Sequence, residues 1–133
     1  DQADRDGVTA VIGYNYSSNA LMAAPLHVKR KLPMLTPSAS ANRLSTFGKY
    51  VHLGSFSNEY MAQVLARFAR ESLNAKKVLI IPAANCAYCV DLTQTFEKEF
   101  KTTGGQIVAQ IPVLQEDKEF KELATKMKDL HFD

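Results

Sequence analysis

Short apolar runs alternate along this chain with longer stretches in which apolar residues recur every three or four positions, and that alternation predicts strands joined by helices. Val8-Thr9-Ala10-Val11-Ile12-Gly13 is β-branched and closes on a glycine, so it reads as a buried strand. Ala20 to Ala24 propagate well as a helix, and Pro33-Met34-Leu35-Thr36 is the next short strand. In the second half, Ser57 is expected to cap a helix running to about Leu73, whose stripe of Met61, Val64, Leu65, Phe68 and Ser72 should pack inward. Val78-Leu79-Ile80-Ile81 is too apolar for a strand with a wet face. Leu92, Phe96 and Phe100 recur every fourth residue on a helix stopped by Thr103-Gly104-Gly105, which leads into the strand Ile107 to Ile111. Asp117 is placed to cap a last helix carrying Phe120, Leu123, Ala124, Met127 and Leu130. The order predicts an α/β chain with Rossmann-like parallel sheets and flanking helices, in which these stripes are core.

Ligands of open α/β sheets bind beyond the carboxyl ends of the strands, so the loops there matter most. After the first strand, Tyr14-Asn15-Tyr16-Ser17-Ser18-Asn19 offers hydroxyls and amides, with Ser17 or Ser18 as the natural helix cap. The unpaired N–H groups of that first turn, together with the helix dipole, favour a carboxylate or another anion without a lysine or arginine. After the second strand, Pro37-Ser38-Ala39-Ser40-Ala41 is small enough for a ligand to approach the backbone, and an extended Ser38 to Ser40 would turn both hydroxyls one way. Serines at helix starts ordinarily cap and do nothing else. Two such loops after neighbouring strands move the balance towards a small ligand.

The ordered run Val11-Ile12-Gly13, Ser17-Ser18, Pro25, Leu32-Pro33, Thr36 to Ser40, Leu44-Ser45, Lys77 to Ile81 and Gly104-Gly105 resembles the middle of a type I periplasmic binding protein. The likeness is to the branched-chain amino acid group of ABC-transporter receptors and extends from about Gly7 to the last helix. It implies a two-lobed fold, of which residues 1–54 are the rear part of the N-terminal lobe and residues 55–133 the front part of the C-terminal lobe, with the crossover near Leu53 to Ser57. It also implies that the chain is an internal portion, whose bared strand edges and helix faces would favour self-association. Carried over residue by residue, the groups that hold an amino acid's carboxylate and ammonium fall on Ser17, Ser38 and Ser40, with Ser18 and Ala39 in the same loops. Tyr88 takes the place of the tyrosine that closes over the ligand from the other lobe, and Cys89 stands where relatives usually have glycine. The implied role is a solute-binding receptor of an ABC importer, periplasmic or extracellular and lipid-anchored in a Gram-positive cell, with a membrane permease as partner. A sensory ligand-binding domain uses the same fold and residues.

Composition changes this picture little. The chain has 133 residues, 46% of them hydrophobic, which is ample for a core. Its net charge of +2 is spread over both halves and its aromatics do not interleave with basic residues, so nucleic acid is not the expected partner. Lys29-Arg30-Lys31 follows a helix, where cations complement the carboxyl-end dipole. No stretch is apolar enough to cross a bilayer. Hydrolytic chemistry finds no G-x-S-x-G elbow and no histidine near the serines in sequence, and His52 is expected to be satisfied by local hydrogen bonds. Tyr14 and Tyr16 either line the first loop's pocket or pack. No cofactor is implied.

Cys86-Ala87-Tyr88-Cys89 supports a rival function. A C-x-x-C between a strand and a helix is the arrangement of a thiol–disulfide oxidoreductase, since the helix N-terminus stabilises the first thiolate and the second cysteine resolves a mixed disulfide. Pro112, the only proline after the motif, ends a strand and does not offer the facing cis-proline loop such enzymes carry. A metal site would need two more ligands, and His27, His52 and His131 are not spaced to supply them. The pair is left as a local disulfide, as two thiols shaping the Tyr88 loop, or as a redox couple; an oxidising periplasm favours the first.

Overall fold

The computed structural model describes residues 5–133, which form two compact units dividing between Asn58 and Glu59. The first unit holds a three-stranded parallel sheet in the order β1-β2-β3, made of β1 (Val11–Ile12), β2 (Met34–Thr36) and β3 (Val51–Leu53). Helix α1 (Ser17–Arg30) joins β1 to β2, and a 3₁₀ segment, Asn42–Phe47, joins β2 to β3. Its core is small: Ala20 and Ala24, one turn apart on α1, pack with Met34, Ala39, Ala41, Leu44 and Val51. Alanines let the helix lie close to the sheet, and the larger Met34 and Leu44 fill the space between.

Helix α1 stops in a Schellman arrangement. Lys31 takes the left-handed conformation at φ 54°, and the N–H groups of Lys31 and Leu32 donate back to the carbonyls of Val28 and His27. The basic residues fall in and just after the last turn, where they meet the negative end of the dipole.

The second unit has a two-stranded parallel sheet, β4 (Lys77–Ile80) beside β5 (Gln106–Gln110), connected by α3 (Ala87–Thr102). Before it runs α2 (Asn58–Arg67), which widens into a π turn at Phe68–Ser72 where Leu73 N–H reaches the carbonyl of Phe68. A short α4 (Lys121–Met127) follows β5. Phe100 is fully buried among Ala66, Ala69 and Ala75, with Phe96 stacked beside it at 5.4 Å between ring centroids. Gly105 makes this possible, because a Cβ there would sit 2.2 Å from the Phe100 ring.

Several expectations are corrected. The first strand contracts from Val8–Gly13 to two residues, and Ile12 is 76% exposed, because β1 lies at the sheet edge and only Val11 and Ile12 meet partners on β2. On α2 the buried line is Ala62, Ala66 and Ala69, while Val64, Leu65 and Phe68 are 50%, 49% and 51% exposed. The stripe expected to pack inward is thus largely exposed, and close approach of backbone selects the alanine line beside it for burial. Val78, Leu79 and Ile80 are only half-buried and Ile81 is exposed, since β5 is the one strand paired with β4 among the described residues. Asp117 does not cap α4: its Oδ2 accepts from Leu114 N–H at 2.7 Å, and the capping position belongs to Phe120. No helix among the described residues is long and apolar enough to cross a membrane.

Candidate functional site

In the first unit the loops after β1 and β2 leave the carboxyl ends of adjacent parallel strands, and so they lie side by side. Neither Ser17 nor Ser18 caps α1. Tyr16 holds the capping position without a side-chain bond, and Ser17 is the first helical residue. Ser17 turns its hydroxyl sideways instead, where Oγ accepts the N–H groups of both Ser40 and Ala41 at 3.3 Å. These amides cannot be served by strand pairing, since the chain leaves the ladder after Thr36.

The second loop bends at Pro37 and Ser38 and is not extended, so the hydroxyls of Ser38 and Ser40 have different surroundings. Thr36 drives the bend: its fully buried Oγ1 donates to the carbonyl of Ala39 at 2.8 Å. Ser38 stays exposed and donates to the carbonyl of Asn15 at 3.0 Å, a second tie between the loops. Ser40 is buried and donates to Asn58 Oδ1 at 2.8 Å, while Asn58 N–H donates to the Ser40 carbonyl at 2.9 Å. Ser17 is 3% exposed, Ser40 and Ala39 1% each, and Ser18 lies on the surface.

These bonds sort the site by polarity. A hydroxyl has one proton and two acceptor positions. Ser17 Oγ accepts from two amides, which leaves its proton for another partner. Ser40 commits its proton to Asn58, which leaves acceptor capacity. The outward N–H groups of Ser17, Ser18 and Asn19 precede the first bond of the helix ladder, from Ala20 N–H to the Tyr16 carbonyl. Donors therefore gather at the start of α1 and an acceptor at Ser40.

Sequence reasoning did not find Asn58 or Thr36, the two buried side chains that shape the second loop. Thr36 sat in a strand pattern and Asn58 in a helix start, where each has an ordinary structural explanation. Ser55, in the turn after β3, has a buried hydroxyl without a partner among the described residues. Tyr14 both lines an open groove, with Asn19, Met22, Ala23 and Leu26, and packs: its hydroxyl lies 3.1 Å from His27 Nε2, and His27 Nδ1 lies 2.9 Å from the Leu32 carbonyl. A carbonyl only accepts, so Nδ1 carries a proton, and in the neutral ring Nε2 accepts from Tyr14. Tyr16 is exposed. His52 Nε2 is 3.0 Å from the Lys49 carbonyl, a local bond.

In the second unit, Tyr88 stands in the first turn of α3 and is 37% exposed. It is flanked by a disulfide between Cys86 and Cys89, with Cα atoms 5.2 Å apart. Cys86 caps α3, its Sγ accepting from Cys89 N–H at 3.1 Å. Among the described residues no three His, Cys, Asp or Glu side chains gather as they would around a metal ion.

Comparison with known proteins adds an independent line of observation. A family model described as periplasmic binding protein matches residues 2–133. Among solved structures, a leucine-binding protein from Thermotoga maritima is 32% identical, with a TM-score of 0.84 over 95% of this chain and 36% of its own. The substrate-binding protein of a branched-chain amino acid transporter from Streptococcus pneumoniae, in complex with isoleucine, is 28% identical, with a TM-score of 0.86 over 98% of this chain and 37% of its own. An ABC-transporter solute-binding protein from Rhodopseudomonas palustris, in complex with 3,4-dihydroxybenzoic acid, is 26% identical, with a TM-score of 0.82 over 96% of this chain and 34% of its own. This chain thus spans little more than a third of the length of the solved relatives it matches. No curated protein matches it.

Proposed function

The chain belongs to the periplasmic binding protein family, and on that premise we propose that it is part of a solute-binding receptor of an ABC importer, capturing an amino acid or similar small carboxylate without covalent chemistry. The observation that carries this is the clamp in which Ser17 Oγ takes the N–H groups of Ser40 and Ala41, because it brings two loops that are distant in sequence to one place at the strand ends. There the N-terminal amides of α1 and the hydroxyl of Ser17 suit a carboxylate. The acceptor capacity of Ser40, fixed by Asn58, suits a donor such as an ammonium or a phenolic hydroxyl. Ser18, Ser38 and Ala39 complete the loops, and Ser38 keeps them together through Asn15.

Relatives differ in what their printed descriptions say they bind, isoleucine in one and a dihydroxybenzoate in another, and both molecules carry a carboxylate. A site polarised in this way suits the shared group and leaves the remainder of the ligand to be chosen by other residues. In the second unit, Tyr88 is proposed by itself as a ligand-binding side chain, an aromatic ring with a polar tip. The membrane permease of an importer is the proposed partner, and the periplasm or cell exterior the proposed location.

Calorimetry on the intact protein tests the assignment. Replacing Ser17 and Ser40 together by alanine should weaken binding by roughly 1–3 kcal/mol while the thermal transition stays cooperative. Unchanged affinity in a folded double variant rules out these serines as the ligand's partners.

A further inference from the structure

The loop that carries Tyr88 is built unlike a free connection. On its upstream side, Ala83 bridges Val113 in parallel, Ala84 N–H donates to the Val113 carbonyl at 2.8 Å, and Val113 N–H donates to the Pro82 carbonyl at 3.0 Å. Asn85 adds a two-sided grip: its Nδ2 donates to Glu116 Oε2 at 2.8 Å and its Oδ1 accepts from Gln115 N–H at 3.0 Å. Cys86 N–H closes the turn on the Ala83 carbonyl at 3.2 Å. Downstream, Cys89 belongs to the regular ladder of α3. Only Ala87 and Tyr88 lie between the pinned turn and that turn of helix, and the disulfide joins the two sides directly.

We propose that the Cys86–Cys89 disulfide is a positioning element for ligand capture, holding the backbone under Tyr88 so that its ring is presented in one direction before the ligand arrives. The proposal rests on the receptor assignment above and on Tyr88 being a ligand-covering side chain. The physical effect is preorganisation. A first helical turn frays readily because its N–H groups have no partners within the helix, and a ring closed over two residues removes most of that freedom. Opening the ring leaves every ligand contact chemically possible but makes binding pay for ordering the turn. The consequence falls on the bound lifetime, since a frayed turn releases its ligand more often.

Reduction supplies a reversible test. A dithiol such as dithiothreitol breaks the S–S bond, two electrons pass to the cysteine sulfurs, each sulfur gains a proton, and the reagent closes to its own cyclic disulfide. Binding of isoleucine and of 4-hydroxybenzoate to the intact protein is measured before and after reduction, in the Cys86→Ser/Cys89→Ser variant, and in Tyr88→Ala protein in both redox states. The expected result is roughly fivefold weaker binding on reduction, carried mainly by faster dissociation, matched by the double serine variant and restored by reoxidation. In Tyr88→Ala protein reduction should change affinity less than about twofold, because no ring remains to be positioned. Equal affinity in both redox states of the wild-type protein overturns the proposal, and so does an undiminished redox effect in Tyr88→Ala. Amide hydrogen exchange without ligand reads the brace alone: exchange at Ala87 to Val90 should quicken on reduction, and unchanged exchange also overturns it. If exchange quickens while neither probe binds the oxidised protein and no small molecule co-purifies with it, the receptor assignment fails and the proposed role in ligand capture falls with it.

Discussion

At the scale of single residues, position in the chain misled where chemistry did not. Ser17 was expected to serve its own helix, and it serves the neighbouring loop. Being the first helical residue and not the cap, it points its Oγ across to two amides that strand pairing had abandoned. Tyr14 shows the same reach beyond local rules. It holds φ at 65°, a conformation that costs a bulky side chain energy, and its hydrogen bond and edge-on contact with His27 keep it there. Gly105 is the residue whose replacement should be felt most directly. A methyl group there overlaps a ring that is itself fully buried, so Phe100 has nowhere to move without disturbing Ala66 and Ala69. Gly105→Ala should destabilise the intact protein by about 1–3 kcal/mol, visible as a lower denaturant midpoint at unchanged slope.

Among elements, the kind of structure was more legible than its facing. The predicted strands and helices form in the predicted order, because β-branched runs and four-residue spacing are local signals, but β3 was not among them. Which side of α2 turns inward depends on how closely it approaches its neighbours, and alanines at 62, 66 and 69 permit the closer approach. The pairing of α3 with β5 has a polar component too. Glu97 on α3 bonds Lys101 Nζ at 2.6 Å through Oε1 and takes the side-chain amide of Gln110 on β5 through Oε2. The Lys101 hydrogen bond, against some desolvation and helped by Gln110 and the lysine charge, holds the Glu97 carboxyl below its ordinary range. A carboxyl with a lower pKa when folded stabilises above its unfolded value and loses that stabilisation as pH falls through the folded one. The contribution should therefore fade below about pH 4. Urea midpoints taken from pH 7 down to pH 3 should fall more steeply for the wild type than for Glu97→Gln, and parallel curves would show that the tie adds nothing.

For the whole molecule, two units of separate core each place a candidate loop after a parallel strand: the serine loops after β1 and β2, and Tyr88 after β4. Family membership rests on a match across nearly the entire chain. Native mass spectrometry of the intact protein gives the broadest check. A co-purified small molecule carrying a carboxylate, lost in the Ser17→Ala/Ser40→Ala variant, is the expected outcome; a persistently bare protein that also ignores a panel of amino and aromatic acids contradicts it.

Sequence alone determined the alternation of strands and helices, the two serine loops, the cysteine pair around Tyr88 and the resemblance that located them, because each is written within a few neighbouring residues. Tertiary structure decided the rest. That Ser17 accepts from Ser40 and Ala41, that Thr36 bends the second loop, and that Asn58 takes the proton of Ser40 are pairings across gaps of chain, set by which backbone groups the sheet leaves unsatisfied. A serine's identity supplies one proton and two lone pairs, and only the fold chooses which of them remain for a ligand.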